Sequence, residues 1–318
     1  MKWFFNAILL LWVSLAAAQP FPTKPVKILV AFPPGGGTDI VARLLGQKLA
    51  ELWGQPVVVE NRAGASGTIG TEIAARAEAD GHTIFMATMG NMTANQHLYA
   101  RMAVDPLRAL APITKVVDVH FAFLANPALA AGNVAELIEL AKKRPGDIAY
   151  SSSGPGGAPH LAMELFKRRA GVDLRHIPYK GSGPGMNDLL GGRVMVTMDS
   201  VLQSLPHVKA GRLKALAVLG PRRIAMLPDV PAVSETVPGY SLTNWFGLVA
   251  PAATPKPLLL KIGNDVVGIL KDNDLRKKIT DLGADVVGNS AEEFGAAMRA
   301  ESAQWAEIIR LANIRIEE

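Results

Sequence analysis

The sequence predicts an α/β protein of two lobes, each a mostly parallel sheet flanked by helices, with a ligand cleft between the lobes. Short apolar strands alternate with amphipathic helices, which is the pattern of doubly wound parallel sheets. The alternation occurs in two successive stretches of the chain. With 318 residues, of which 49% are hydrophobic, the chain is long enough to form two cores.

Residues 1–18 have the features of a secretory signal peptide. Lys2 precedes an apolar run from Trp3 through Ala18, and the small residues Ala16 and Ala18 suit the positions before a cleavage site. The run is shorter than the roughly 20 residues that a membrane-spanning helix needs. We therefore expect cleavage before Gln19 and export to the periplasm.

Composition excludes several classes of function. Cysteine is absent, so neither disulfides nor thiolate chemistry contribute. The formal net charge of +5 is mild, and its cations are scattered without interleaved aromatic residues, so no nucleic-acid partner is expected. The six histidines form no His-x-x-His pair, and we expect neither a metal site nor a cofactor.

In the first stretch, β-branched runs end in loops rich in glycine or polar residues, as strands of a parallel sheet do. Ligands of such sheets bind beyond the carboxyl ends of the strands. The predicted strands are Val26–Phe32, Val57–Glu60 and Ile84–Thr88. The first is followed by a helix over Ile40–Leu52, the second by the loop Gly64–Gly70 and a helix through Ala79, and the third by a polar loop Met89–Thr93 that contains Asn91.

The second stretch repeats this pattern, and Pro-rich connectors then lead to the carboxyl-terminal helices. The chain is expected to cross between lobes near Leu124 and Asn244, giving a first lobe of residues 19–123 and 245–318 and a second of residues 124–244. The predicted strands are Phe121–Leu124, Ile148–Ser151, His176–Tyr179, Val194–Met198, Leu213–Leu219 and Trp245–Ala250, and the helices are Val134–Lys143, His160–Arg169, Met186–Leu190, Val201–Val208, Pro257–Asp272 and Ala291–Ala312.

The loop Pro33–Asp39 is the first candidate anion site. Its successive N–H groups, including those of Gly36, Gly37 and Thr38, precede a helix N-terminus, where the helix dipole favours negative charge. The loop matches neither the Walker motif nor the dinucleotide fingerprint. The alternative is a tight strand-to-helix turn in which Asp39 is a cap.

Ser152, Ser153 and Gly154 form a second candidate site, just before the helix that contains His160. Their hydroxyl and amide groups could bind the other end of a dicarboxylate, or simply cap the helix. Asp199, at the end of an apolar strand, could accept a hydrogen bond from a ligand or cap the next helix. A hydrolase using Ser153, His160 and Asp199 is disfavoured because no Gly-x-Ser-x-Gly elbow exists.

The sequence resembles the periplasmic receptors of tripartite tricarboxylate transporters, also called the Bordetella uptake gene family. The matching segments span nearly the whole chain after residue 18, and it is their order and spacing together that are specific. They are Phe21–Pro25, Pro33–Gly36, Val57–Arg62, Tyr99 with Asp105-Pro106, His160-Leu161 with Glu164–Phe166, Pro178–Gly181, Leu227–Pro231 and Ala250-Pro251.

The resemblance implies a two-lobe periplasmic-binding-protein fold that closes on a small carboxylate, such as a dicarboxylate, a carboxylated amino acid or an aromatic acid. The chain is then a monomeric receptor, not an enzyme, whose partners are integral-membrane transporter subunits. A secreted hydrolase or the ligand-binding partner of a sensor system is the alternative. By resemblance, Asp199 faces the variable end of the ligand, and the carboxylate is bound by Gly36, Gly37, Thr38, Ser66, Thr88, Ser152 and Ser153. The expected ligand-binding residues also include Asp39, Asn91, Gly154 and His160.

Three positions depart from the family pattern: Gly156–Pro159, Gly185 and His82. They leave the expected fold intact. Because of them, the substrate of another family member is not assigned to this chain.

Overall fold

The computed structural model of the protein describes residues 21–312 and contains two β-sheets flanked by helices. The predicted signal peptide, residues 1–18, lies outside the described residues. Among residues 21–312, no helix is long and apolar enough to cross a membrane.

The first sheet has six strands in the order β11-β4-β10-β3-β1-β2. Strands β1, β2 and β3 are parallel because a helix returns the chain after each of the first two strands. These elements are β1 (Val26–Val30), α1 (Gly37–Trp53), β2 (Val57–Asn61), α2 (Thr68–Ala75) and β3 (Thr83–Thr88). The sheet is completed by the antiparallel pairs of β10 (Asn244–Pro251) with β3 and with β4 (Leu110–Val119), and of β4 with β11 (Ala284–Val286).

The second sheet has five strands in the order β7-β6-β8-β5-β9. Strands β6, β7 and β8 are parallel, and β5 lies antiparallel between β8 and β9. The elements are β5 (Phe121–Ala125), α4 (Val134–Lys143), β6 (Ala149–Ser152), α5 (Ala158–Ala170), β7 (Arg175–Pro178), α6 (Ser182–Leu190), β8 (Val196–Ser200), α7 (Val201–Lys209) and β9 (Lys214–Val218).

The remaining helices belong to the first sheet. A short helix precedes β4, and the long carboxyl-terminal helix and the helix after β10 pack against β4. These helices are α3 (Pro106–Ala109), α8 (Lys256–Ile269), α9 (Asn273–Asp281) and α10 (Ala291–Ala312). We call each sheet with its helices a lobe.

The two sheets have the same strand order, with β1, β2, β3, β10 and β4 of the first corresponding to β6, β7, β8, β5 and β9 of the second. In each sheet, the chain runs from the first parallel strand (β1 or β6) to the edge strand on one side of it (β2 or β7). It then crosses back to the strand on the other side of the first (β3 or β8). That reversal is the topological switch point at which α/β sheets bind ligands. The switch points lie between β1 and β3 and between β6 and β8.

Burial on both faces of the sheet explains why the strands are continuous apolar runs. Ile28, Leu29 and Val30 are fully buried on β1, as expected for strands covered on both faces.

The chain passes between sheets at His120 and returns at Asn244. The boundary expected between residues 123 and 124 falls inside β5, and the division of the whole chain into lobes stays a prediction.

Several features differ from the predicted elements, among them helix α3, which was not predicted. Helix α2 ends at Ala75 rather than Ala79, and the segment predicted as the polar loop Met89–Thr93 is largely a buried π-helical turn over Gly90–Ala94. Thr88 N donates to Asn91 Oδ1 at 2.9 Å, whereas Asn91 Nδ2 is buried without a partner in the described part of the chain.

Strands β4 and β11 and helix α9 are absent from the predicted elements. Strand β4 carries Pro112, which interrupts the apolar pattern and would normally exclude a central strand. It is accommodated because the pairing of β4 with β10 changes register beside it, between Leu248 and Val249.

Glu301 of α10 joins the carboxyl-terminal helix to the first sheet. Its carboxylate accepts hydrogen bonds from Trp245 Nε1 on β10 and from Thr93 Oγ1 in the π-helical turn, both at 2.9 Å. Burial raises the pKa of Glu301. Both donors are buried, but Thr93 Oγ1 also lies 2.7 Å from the carbonyl oxygen of Met89, which can accept its proton, whereas the described hydrogen bonds give Trp245 Nε1 no other acceptor.

We expect Glu301→Ala to lower the free energy of unfolding by about 1–3 kcal/mol, since it leaves the buried indole N–H of Trp245 without an acceptor. Urea denaturation measures this change. Glu307→Ala, at an exposed position of the same helix, is the control and should unfold with the parent. Equal midpoints for both variants would contradict the role given to Glu301.

Candidate functional site

A cavity between the two lobes, which we call the main cavity, has about 430 Å³ of empty space. The first lobe contributes Phe32, Gly36, Gly37, Thr38, Thr88, Asn244 and Phe246, and the second lobe contributes Phe121, Ser153, Ala158, Pro159, Ser182, Asp199 and Ser200.

Four helices begin at this cavity, one from the first lobe and three from the second. Helix α1 begins at Gly37, α5 at Ala158 and α6 at Ser182, and α7 follows Ser200. The first N–H groups of a helix have no partner within the helix, and the helix dipole adds partial positive charge there. The main cavity is therefore surrounded by hydrogen-bond donors suited to an anion.

None of these four helices is capped by a side chain. The residues before α1, α5 and α6 are Gly36, Gly157 and Gly181, and Ser200, before α7, makes no capping hydrogen bond. By contrast, α3, α4 and α9 are capped by the side chains of Asp105, Asn133 and Asp272. The uncapped starts leave N–H groups without a side-chain partner, but two of the four offer fewer donors: Val201 N of α7 donates to the carbonyl oxygen of His120 at 2.8 Å, and Pro159 of α5 has no N–H.

Hydroxyl and amide side chains add to these backbone donors. Thr38, Thr88 and Ser153 line the cavity and are buried. Ser200 Oγ and Asn244 Oδ1 are buried there without a hydrogen-bond partner in the described part of the chain. Buried polar atoms without partners are costly, so these two are available for a bound molecule.

No lysine or arginine is among the residues that line the main cavity. Its one charged lining residue is Asp199, which accepts hydrogen bonds from Ser200 N at 2.6 Å and Ser182 Oγ at 3.1 Å. Burial raises the pKa of Asp199 to about 6. The carboxyl group can therefore change its protonation state near neutral pH.

Half of the predicted site residues line the main cavity: Gly36, Gly37, Thr38, Thr88, Ser153 and Asp199. Two others, Ser66 and Gly154, line a second cavity beside it. The remaining four, Asp39, Asn91, Ser152 and His160, line neither.

Asp39 is directed away from the main cavity into an ion pair with Arg43. The atoms Arg43 Nη2 and Asp39 Oδ1 are 2.9 Å apart, and Asp39 also accepts from Gly35 N and Asn61 Nδ2, both at 3.0 Å. Burial alone would raise the pKa of Asp39, but these donors lower it. The carboxylate thus stabilises the glycine loop, and its predicted contact with a ligand has no support here.

Ser152 and His160 stabilise the loop that carries Ser153. Ser152 Oγ is 2.6 Å from His176 Nε2 and accepts from Gly154 N, while His160 Nδ1 accepts from Gly156 N at 3.1 Å. The two imidazole rings stack with centroids 4.4 Å apart. Burial lowers the pKa of His160 to about 4 and that of His176 to about 3, so both are neutral at pH 7.

The second cavity, which we call the side cavity, has about 500 Å³ of empty space and shares Phe32 and Ser153 with the main cavity. Its other walls come from loops of both lobes. They are Gly64, Ala65, Ser66, Gly67, Gly154, Pro155, Pro178, Tyr179 and Lys180.

The lobes touch each other around these cavities. The Tyr99 hydroxyl of the first lobe donates to the carbonyl oxygen of Pro155 at 2.8 Å. Gly181 lies against Pro33 so closely that a Cβ atom there would overlap Pro33 Cδ, and Gly37 lies against Ser200 and Phe246. Glycine at these positions allows the close approach of the two lobes.

Sequence reasoning did not find Ser182, Ser200, Asn244 and the three phenylalanines of the main cavity. Ser182 and Ser200 lie just beyond or at the ends of predicted strands, so the strand-end rule could have found them. Asn244 and Phe246 belong to β10, which returns from the other lobe, and no local pattern indicates that arrangement. Within residues 21–312, no cluster of histidine and acidic side chains suits a metal ion.

Comparison with known proteins agrees with this architecture. The family model described as "Tripartite tricarboxylate transporter family receptor" matches residues 41–314. Protein BugT of Bordetella pertussis is 33% identical over 303 residues, which cover 95% of this chain and 93% of BugT.

Two solved structures have the same fold. The periplasmic binding protein BugD has a TM-score of 0.90 and 37% identity, covering 93% of this chain and 100% of BugD. Rpa4515 of R. palustris, solved with adipate, has a TM-score of 0.90 and 35% identity, covering 93% of this chain and 99% of that one. This chain therefore belongs to the receptor family of tripartite tricarboxylate transporters and has the fold of the periplasmic solute-binding proteins.

Proposed function

We propose that this protein is an extracytoplasmic receptor that binds a small carboxylate in the main cavity and delivers it to a tripartite tricarboxylate-type membrane transporter. The observation that supports this best is the convergence of four uncapped helix starts on one buried cavity. A carboxylate accepts several N–H hydrogen bonds at once and is stabilised by the positive ends of the helix dipoles.

The proposal includes the location and the partners. Residues 1–18 direct export and are removed, and the mature protein acts as a monomer in the periplasm, where its family operates. The partners are the integral-membrane subunits of the transporter. Rpa4515 binds adipate in its solved structure, which supports a carboxylate ligand for this chain.

The geometry gives little support to a secreted hydrolase. The described hydrogen bonds pair a serine with a histidine at Ser152 and His176 and at Ser302 and His97, but both serines are buried and neither lines either cavity. Those bonds give His176 no acidic partner, which a serine triad needs. We therefore expect binding of carboxylates without turnover.

The first prediction concerns the carboxylate site itself. Alanine at Thr38 or at Ser153 should weaken carboxylate binding about tenfold or more, because a hydrogen bond to a charged acceptor contributes about 1.5–3 kcal/mol. Calorimetry with a panel of malate, succinate, adipate, aspartate and an aromatic acid measures the change. Thr236→Ala, at an exposed threonine of the second lobe, is the control.

If both variants bind like the parent, the anion site lies elsewhere. Delivery is tested separately in the native host. Loss of the receptor gene should abolish uptake of the ligand, and the parent gene should restore it. Uptake that persists at the parental rate would contradict the transport role.

The second prediction concerns closure of the lobes. Gly181 has φ +134°, and a side chain there would overlap Pro33 of the other lobe, so Gly181→Ala should prevent the close approach seen here. Apparent affinity should fall about tenfold or more, because the binding-competent closed state becomes rare. Scattering should show no ligand-induced compaction in the variant.

Gly171→Ala is the matched control for Gly181→Ala. Gly171 has φ +64°, and a Cβ atom there would meet nothing within 4 Å. Backbone strain alone should thus reduce stability and leave affinity unchanged. If the two variants lose affinity equally, strain rather than blocked closure explains the effect.

The third prediction concerns Asp199, which would lie beside an anionic ligand in the proposed site. Protonation removes the repulsion, so a plain dicarboxylate should bind tightest below the pKa of about 6 and weaken as pH rises above it. Asp199→Asn should remove this pH dependence. With an amino-acid ligand, whose ammonium could pair with Asp199, the same variant should lose about 3–5 kcal/mol of binding free energy.

Calorimetry from pH 5 to pH 8 with succinate and with aspartate separates these cases. Asp229→Asn, at an exposed position of the second lobe, is the control. Identical ligand rankings and pH profiles for the parent and Asp199→Asn would exclude Asp199 from the binding site.

A further inference from the structure

We propose that Arg222 and the acidic side chains opposite it favour the open form of the cleft and so set the affinity of the main cavity for its ligand. The inference rests on the proposed function, whose site it regulates. None of these side chains lines the main cavity. They line a third cavity, which we call the hinge cavity.

The hinge cavity has about 1180 Å³ of empty space and has walls from both lobes. Its lining shares one residue, Asn244, with the main cavity. The first lobe contributes Lys115, Asp118, Val119, Asn244 and Asp285, the second lobe contributes Gly220, Pro221, Arg222, Arg223, Ile224, Ala225 and Met226, and His120, Leu242 and Thr243 belong to the segments that connect the lobes.

The strand order places the two cavities on opposite sides of the hinge. The chain crosses between the lobes just before β5 and just before β10. Strand β10 lies between β3 and β4, and β5 lies between β8 and β9. The main cavity is lined from the sides of β3 and β8, at Thr88 and Asp199, whereas the hinge cavity is lined from β4, from β11 and from the segment after β9. A rotation about the crossings that widens the main cavity therefore narrows the hinge cavity.

Opposite charges line the two walls of the hinge cavity. The wall from the first lobe has two aspartates, Asp118 and Asp285, and one lysine, Lys115. The wall from the second lobe has two arginines, Arg222 and Arg223, and no acidic residue. The walls therefore attract each other, and the attraction grows as their separation falls. This attraction favours a narrow hinge cavity, which corresponds to an open cleft.

Arg222 is the cation that is available for this attraction. Lys115 Nζ lies 2.8 Å from Asp118 Oδ1 in its own lobe, and Arg223 Nη2 lies 2.8 Å from Glu235 Oε2 in the second lobe. Arg222 is exposed, and the ion pairs of the described residues give it no acidic partner. Its guanidinium group can therefore pair with the first lobe when the hinge cavity narrows.

Asp285 is the acid with a carboxylate oxygen still free to pair. Its Oδ2 lies 2.9 Å from His120 Nε2, and the described hydrogen bonds and ion pairs leave its Oδ1 without a partner. Opening of the cleft would bring Asp285 and Arg222 together in an ion pair that is absent from the described contacts. A ligand that closes the cleft must offset the loss of this pair, so the pair lowers the apparent affinity.

The experiment measures carboxylate binding to Arg222→Gln by calorimetry, with the same ligand panel as for Thr38 and Ser153. Loss of the open-state ion pair should raise the affinity about two- to fivefold, the scale of an exposed pair. Loss of a cation would otherwise weaken an anionic ligand through the field of the whole protein, so the sign of the change separates the two effects. The gain should shrink as salt is added.

Arg212→Gln is the matched control for charge. Arg212 is an exposed arginine of the second lobe that does not line the hinge cavity, so its loss should leave the affinity unchanged or lower it slightly. Tighter binding by Arg212→Gln would mean that the effect of Arg222→Gln does not depend on the hinge.

A second variant tests the hinge without a change of charge. Ala225 is exposed and lines the hinge cavity, so the indole ring that Ala225→Trp introduces would occupy the space that opening removes. The affinity should rise, and small-angle scattering should show that the ligand-free variant is more compact than the ligand-free parent. Ala210→Trp, at an exposed alanine outside the cavity, is the control.

The outcomes separate this inference from the proposed function. Tighter binding by Arg222→Gln and by Ala225→Trp, with both controls at or below the parental affinity, supports the inference. Unchanged or weaker binding by Arg222→Gln overturns it and leaves the proposed function intact. If no carboxylate binds the parent, the proposed function is wrong, and scattering of the ligand-free variants decides the inference: particles as extended as the parent would overturn it.

Discussion

The N–H groups without a side-chain cap at the starts of α1, α5 and α6 determine how the rest of the cleft is built. A side-chain cap at any of them would satisfy the donors that an anion needs, and the residue before each of these helices is glycine. Glycine loops are also the most costly to order on folding. The surrounding residues offset this, since Asp39 accepts from Gly35 N and His160 accepts from Gly156 N. These supports fix the backbone from behind while the cavity side stays open to a ligand.

Charge in the cleft follows from the same arrangement. Backbone N–H groups, rather than lysine or arginine side chains, are the donors suited to an anion in the main cavity. Its lining therefore contains Asp199 but no cation that would neutralise it. Under the proposed function, the protonation state of this one buried carboxyl group would distinguish ligands that all carry the same carboxylate. The backbone would then recognise the common group, and side chains would discriminate among ligands.

The sequence predicts much of this fold and about half of the site, for identifiable reasons. The strands β1, β3 and β8 follow from apolar runs that end at glycine or polar residues, and Thr38, Thr88 and Asp199 follow from the strand-end rule. Strand β4 was missed because Pro112 breaks its pattern and only the register change with β10 accommodates it. Asp39 and His160 were placed with the ligand because the sequence cannot show which way a side chain turns, and Asn244 depends on a strand contributed from the far end of the chain.

The position of β10 between β3 and β4 has a further consequence for the chain as a whole. The second sheet is formed by one continuous stretch from β5 to β9, but the first sheet is completed only by residues that follow that stretch. Any fragment that ends before Asn244 leaves unpaired backbone along both β3 and β4, which are interior strands in the intact protein. A single cut therefore cannot separate the two sheets: the second is encoded by one continuous segment, whereas the first needs both ends of the chain.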